Sequence, residues 1–221
     1  MEWGIPVAIG GALLAWVGLG LATGRMGVEN AQYTVLKRLG PALELRHYPA
    51  HLEASVRVAG ADTRGASSRG FRHLASYIFG GNAAAQSIAM TTPVVLTRPA
   101  AAGDGAADGA GQQQQQQHTV SFVLPASLEL AALPRPNDPR VELARHEPSL
   151  RAVRRLGLTW APRFDEPRLA RELLQLEADA SAAGLSWDAA TVRRAVLGYD
   201  PPWTPFFIAR TEVALYPVAE R

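Results

Sequence analysis

The 221-residue chain has no cysteine and a single lysine, Lys37. Without thiols there are no disulfides, no thiolate metal ligands, no cysteine nucleophile and no thioether attachment of a prosthetic group. Such a chain is indifferent to the redox state of its surroundings. Net charge is also small: 22 Lys and Arg against 20 Asp and Glu leave +2, too little for a nucleic-acid footprint. The pI of 9.3 reflects arginines that stay charged far above neutrality, not a basic patch. Catalytic signatures are missing too: there is no H-E-x-x-H, no G-x-x-x-x-G-K and no G-x-S-x-G. His47 and His51 stand four apart, but Pro49 between them breaks the helix on which they would converge on a metal. The reading is of a protein that is not an enzyme and has no nucleic-acid partner.

What the chain does have, at 48% hydrophobic residues, is enough apolar material for one sizeable domain. Two segments stand apart from it. Trp3 to Gly24 runs 22 residues without a charge, and as a helix rising about 1.5 Å per residue it just spans a hydrocarbon core of roughly 30 Å. Glu2 stands where a secretory signal needs positive charge, so residues 3–24 read as a single membrane anchor, with an uncleaved signal as the rival. Arg25, Lys37 and Arg38 follow the span, which puts the domain of residues 26–221 on the cytoplasmic or stromal side. The second segment, residues 99–117, carries six consecutive glutamines and only Asp104 and Asp108 as charges. It cannot bury enough surface to offset its ordering entropy, so it reads as a disordered tip on a β-hairpin.

Between and after these segments, period-two patterns predict strands over Tyr33–Leu39, Leu43–Tyr48, Leu52–Val58, Met90–Arg98, His118–Leu124, Val141–Arg145, Leu150–Leu156, Arg194–Tyr199 and Glu212–Pro217. Helical spacing of Phe71, Leu74, Ala75 and Ile78 predicts a helix over about 62–79, closed by Gly80-Gly81-Asn82. A second helix runs over about 165–183, with Leu169, Leu173, Leu176 and Ala180 on one face. The order repeats: two strands, a helix, two strands, twice. Laid without gaps on Val141–Gly157, Leu43–Ala59 matches Glu44 with Glu142, Leu45 with Leu143, Leu52 with Leu150, Ala54 with Ala152 and Arg57 with Arg155. Two similar halves sharing one antiparallel, strongly curved or barrel-like sheet follow, an α+β domain carrying two helices.

Six stretches carry a more specific likeness: Leu43-Glu-Leu-Arg-His-Tyr-Pro49; Phe71-x-x-Leu-x-x-Tyr-Ile-Phe-Gly80 with Asn82; Ile88-Ala-Met-Thr-Thr-Pro-Val94; Leu133-Pro-Arg-Pro-Asn-Asp138; Gly198-Tyr-Asp-Pro-Pro-Trp-Thr-Pro205; and Arg210-Thr-Glu-Val213. In order and spacing the chain resembles the SOUL haem-binding protein family over about Tyr33 to Val218. The resemblance implies a distorted antiparallel β-barrel of two related halves flanked by two long helices. It also implies non-covalent binding of haem or another tetrapyrrole, for buffering, transport or delivery.

A porphyrin is a flat apolar plate that gains by burial against an apolar helix face, and its propionates want arginine at the rim. Phe71, Ala75 and Ile78 are expected to supply the face, Arg69 and Arg72 the rim, and Trp203 a further wall. His47 matches a position of the E-x-R-H-Y stretch where some members carry a histidine proposed as axial iron ligand, and it is the metal-ligating candidate. The basic positions used for propionates in some members correspond here to Ser68 and Thr204. The competing function is a small-molecule effector or scaffolding module that does not take haem, because a fold of this kind does not by itself specify a ligand.

Overall fold

The computed structural model describes residues 28–60, 62–98, 117–157, 164–200, 204 and 208–220. The expected anchor over 3–24, residues 99–116 of the insert and Trp203 lie outside them. Among the described residues no helix is long and apolar enough to cross a membrane. The first half holds β1 (Glu29–Asn30), β2 (Thr34–Arg38), β3 (Leu43–Tyr48), β4 (His51–Ala59), α1 (Thr63–Ile78), β5 (Thr91–Thr92), β6 (Val94–Arg98) and β7 (Gln117–Val123). The second holds β8 (Glu142–His146), β9 (Ser149–Arg155), α2 (Glu166–Ala182), β10 (Leu185–Ser186), β11 (Arg193–Gly198), β12 (Thr211–Tyr216) and β13 (Ala219–Glu220). Gln117, read as the end of the insert, is the first residue of β7, which pairs antiparallel with β6 as the hairpin reading requires.

Local chemistry sets the helix ends. Asp62 caps α1 by accepting the amide of Gly65 at 2.6 Å, and Asp165 caps α2 by accepting that of Arg168 at 2.8 Å. Gly80 stops α1 with φ of +104°, a left-handed conformation that side chains disfavour. The amide of Gly81 then reaches back to the carbonyl of Ser76 at 2.7 Å. Buried Asn82 takes up another end carbonyl, donating to Tyr77 O at 2.9 Å.

Nine strands form one sheet in the order β2-β3-β9-β12-β11-β6-β7-β4-β8. Read outward from the central β11–β6 pair, the two flanks are equivalent halves of the repeat. The outermost equivalent strands are exchanged: β3 pairs with β9 of the second half, and β8 with β4 of the first. Partners such as Leu45 and Ala152 in one ladder, and Leu52 and Arg145 in the other, have numbers with the same sum. That constant sum is what a twofold relation between halves demands.

The sheet curls without closing, since β2 and β8 remain as edges; the expected barrel is a half-barrel. Curling is visible in the ring of His51 on β4, whose Nε2 lies 3.2 Å from Nη2 of Arg151 on β9, although four strands separate β4 from β9 in the sheet order. Helices therefore cover the outer face, α1 chiefly on β4 and β7 and α2 chiefly on β12. The main core lies between them and the sheet, with Leu43, Leu45, Leu74, Ile78, Leu96, Leu169 and Leu176 among its members. A second cluster on the inner face gathers Tyr48, Val153, Tyr199, Ala214 and Tyr216.

Candidate functional site

Helix α1 presents two different flanks beside its buried stripe. On one, Phe71, Ala75 and Phe79 recur every four residues. Phe71 is half-buried, its ring edge-on to Phe122 of β7 at 5.2 Å. Ala75 is half-buried, and Phe79 at the C-cap is 68% exposed. The expected lining residue Ile78 is 1% exposed and belongs to the core, so it cannot meet a ligand. Its position in the helical period turns it onto the sheet, and Phe79 is the apolar surface that sequence spacing missed. Arg72 is exposed next to this stripe. Arg69 points elsewhere, donating through Nη2 to Ala59 O at 2.9 Å at the end of β4.

The other flank is tied to the segment before β8. Tyr77 donates to Pro134 O at 3.1 Å, and Nδ1 of His73 lies 2.9 Å from Oδ2 of Asp138. Hydrogen bonds from Arg140 hold the Asp138 carboxyl down to about 2.

The structure brings Phe71, Ala75 and Arg72 together but does not bring His47 to them. His47 is half-buried on β3, opposite Thr34 and Leu150. Strand exchange has carried β3 into the second half's part of the sheet, while α1 rests on the first half's β4 and β7.

The inner face is charged and self-satisfied. Glu212 accepts from Arg46 at 2.7 and 3.2 Å, from Arg210 at 2.8 and 3.1 Å and from Tyr199 at 2.9 Å. Guanidinium groups lie over the rings: Arg46 on Tyr33, Arg210 on Tyr199, and Arg151 on both Tyr48 and Tyr216, at 3.8 to 4.3 Å. Burial alone would raise the Glu212 carboxyl, but Arg46 and Arg210 outweigh it and hold it below the ordinary range. Glu53 behaves likewise: burial opposes ionisation, yet the hydrogen bond from His51 and the charges of His146 and Arg151 bring it to about 2. Both carboxylates are locked anions, unsuited to donating a proton near neutrality. At this end of the sheet a cavity of about 270 Å³ opens among Glu29, Pro49, His51, Thr91, Val123 and Arg145. That is below the roughly 300–1,000 Å³ of typical small-molecule sites, so no porphyrin plate fits inside it. Among the described residues, the exposed stripe of α1 is an open apolar surface against which a flat ligand could lie. Among the described residues, no group of three or more metal-ligating side chains is assembled.

The profile of the SOUL heme-binding protein family matches residues 28–216. No curated protein matches the sequence closely enough to count as a relative. Among solved structures, the crystal structure of the EcmrR C-terminal domain is similar with a TM-score of 0.55 at 11% identity, over 86% of this chain and 99% of that one. EcmrR in its cryo-EM complex with DNA gives 0.54 at 10% identity, over 81% of this chain and 57% of that one. An uncharacterized conserved protein from Listeria innocua gives 0.50 at 11% identity, over 80% and 92%. At such identities these likenesses establish the fold alone.

Proposed function

The chain belongs to the SOUL heme-binding protein family, and from that premise we propose that it binds haem or a related tetrapyrrole non-covalently on the outer flank of α1. The plate is held and released without being transformed. The observation that supports this is the Phe71–Ala75–Phe79 stripe, an apolar strip with one large aromatic ring left in water. Haem would supply an iron that accepts an axial base; the residues on α1 bind and orient the plate, with Arg72 placed for a propionate. Burying roughly 200 Å² of apolar surface at about 25 cal/mol per Å² gives about 5 kcal/mol, which corresponds to a Kd of roughly 0.2 mM before the cost of association. One apolar face is therefore not enough, and the ligand's carboxylates must contribute.

Hemin titrated into the protein, followed at the Soret band, tests the reading. Saturation near one equivalent is expected, and a featureless linear rise would overturn it. A membrane anchor over residues 3–24 belongs to the same proposal: the full chain is expected to stay with membranes through alkaline carbonate washing, and release into the supernatant would remove the anchor. A second reading, an effector-binding or scaffolding module, draws on the small cavity beside His51, which suits a ligand smaller than a porphyrin. If a non-porphyrin ligand raises the melting temperature more than hemin does, the second reading prevails.

A further inference from the structure

The two helices hold equivalent places in the two halves, yet they are opposite in charge. α1 carries Arg64, Arg69 and Arg72 and no acidic residue, whereas α2 sets four acidic residues against two arginines. Most of the acids on α2 are neutralised by the sheet and its loops: Glu166 pairs with Arg98, Glu177 with Arg194 and Asp179 with Arg154. On α1, Arg69 donates to Ala59 O, but Arg64 and Arg72 are exposed and neither has a carboxylate partner among the described residues. The acids beside this helix are already engaged. Asp62 accepts the amide of Gly65, and Asp138 is held by His73 and Arg140.

At about 100° per residue, Arg64, Ser68, Arg72 and Phe79 fall within about 80° of one another, opposite the buried Ala66, Gly70, Leu74 and Tyr77. One face thus offers two free guanidiniums and, at its end, an aromatic ring 68% exposed. Charge alone would suit any polyanion. A large ring standing in water beside unpaired arginines suits a surface that is anionic outside and apolar beneath, where guanidiniums meet phosphates and the ring reaches the acyl boundary. We propose that the outer face of α1 rests on an anionic bilayer and that, in the haem reading above on which this second step depends, the plate passes between lipid and protein at that contact. An apolar plate with a carboxylate edge is at home in either place, and exchange there spares it a passage through water. The contact is distinct from the anchor expected over 3–24, which would hold the chain to a membrane of any charge, whereas α1 responds to the charge of the headgroups.

Because the chain has no cysteine, one introduced by Ser68→Cys on α1, or by Ala178→Cys on the exposed side of α2 as control, carries a polarity-sensitive dye at a single known place. The labelled full chain is added to vesicles of phosphatidylcholine and to vesicles of phosphatidylcholine mixed with phosphatidylserine. The dye on α1 is expected to shift to the blue on the mixed vesicles alone, and the dye on α2 on neither. An arginine near an anionic surface strengthens association about fivefold. Arg64→Gln with Arg72→Gln should therefore lower the docked-to-free ratio about 25-fold, and Phe79→Ser should lower it a few-fold. No shift on α1, the same shift on both vesicles, or an equal shift on α2 overturns the docking. So does an equal shift in soluble polyglutamate with Phe79→Ser without effect, which would assign the face to an acidic protein. Hemin should transfer to the protein faster from mixed vesicles than from phosphatidylcholine, a difference the double arginine variant removes; equal rates in the parent overturn the exchange. Failure of hemin to saturate the protein in solution overturns the haem reading and the exchange, while the shift on α1 still reports docking. Saturable hemin binding with no shift overturns the docking and leaves the haem reading standing.

Discussion

Arg46 and Glu212, 166 residues apart in sequence, form a two-pronged ion pair at 2.7 and 3.2 Å that joins β3 to β12 across the intervening β9. This pair links the exchanged strand of the first half to the body of the second. Arg210 and Tyr199 share the same carboxylate, so every buried charge on this part of the inner face has a counter-charge or a donor.

Removing one member should therefore leave the others unpaired. Glu212 is 0% exposed, and breaking a buried pair from one side costs about 3–5 kcal/mol. Glu212→Leu is expected to lower stability by that amount in urea unfolding, while the double variant Arg46→Met with Glu212→Leu recovers part of the loss. A loss below about 1 kcal/mol would show that water reaches the site and compensates.

Acid should unfold the protein through Glu53. Its carboxyl is held at about 2 against an ordinary 4.5, so the folded state releases a proton more readily than the unfolded chain. That stabilisation is fully present above about pH 4.5 and is lost as pH falls toward 2. The difference corresponds to about 3 kcal/mol. The depressed imidazoles of His146 and His118 act in the same direction, their contributions fading as pH falls below the ordinary histidine value of 6.5. Melting temperature should be level from pH 8 to about 6.5 and fall from there to pH 3, and Glu53→Gln should flatten the segment below pH 4.5. An unchanged slope in that variant would assign the acid sensitivity to other groups.

Close packing of α1 on the sheet depends on Gly70. A Cβ there would lie 2.4 Å from Cγ2 of Val120 and 2.6 Å from its Cβ, and Val120 is fully buried. Gly70→Ala gains about 1 kcal/mol of helix propensity but forces the helix outward at a cost of about 1–3 kcal/mol. Net destabilisation is expected by thermal melting, while Ser68→Ala on the exposed side of the same helix should be neutral or slightly stabilising. A stabilised Gly70→Ala protein would mean that α1 sits further from β7 than described.

Most of the fold was legible in the sequence, because each element carries its own local signal. The period of Leu169, Leu173, Leu176 and Ala180, the cap at Asp165 and the alternation in Leu43–Tyr48 each reflect forces acting within a few residues. The internal match of Leu43–Ala59 with Val141–Gly157 also read correctly as two halves. Which half each strand joins was not legible. Nothing local to β3 records that its hydrogen-bond partner is β9, so His47 and α1, close in sequence, were grouped into one site. Ile78 was misplaced for a related reason: a helical stripe identifies an apolar face but not what covers it.

The separation of His47 from α1 makes a sharp prediction for the pigment-bound state. If the plate lies along Phe71, Ala75 and Phe79, then Phe79→Ser removes the most exposed apolar contact, 68% accessible in the ligand-free protein. Hemin affinity should drop by about tenfold, the equivalent of roughly 1.5 kcal/mol for loss of a large apolar contact. His47→Ala, on a strand placed with the second half of the sheet, should leave both the affinity and the Soret maximum unchanged. Exposed Phe79 contributes little to the folded state, so the first variant should melt within about 2 °C of the parent, which separates lost binding from lost folding. A shifted Soret band in His47→Ala, with Phe79→Ser indistinguishable from the parent, would move the plate off α1 and onto the outer face of β3.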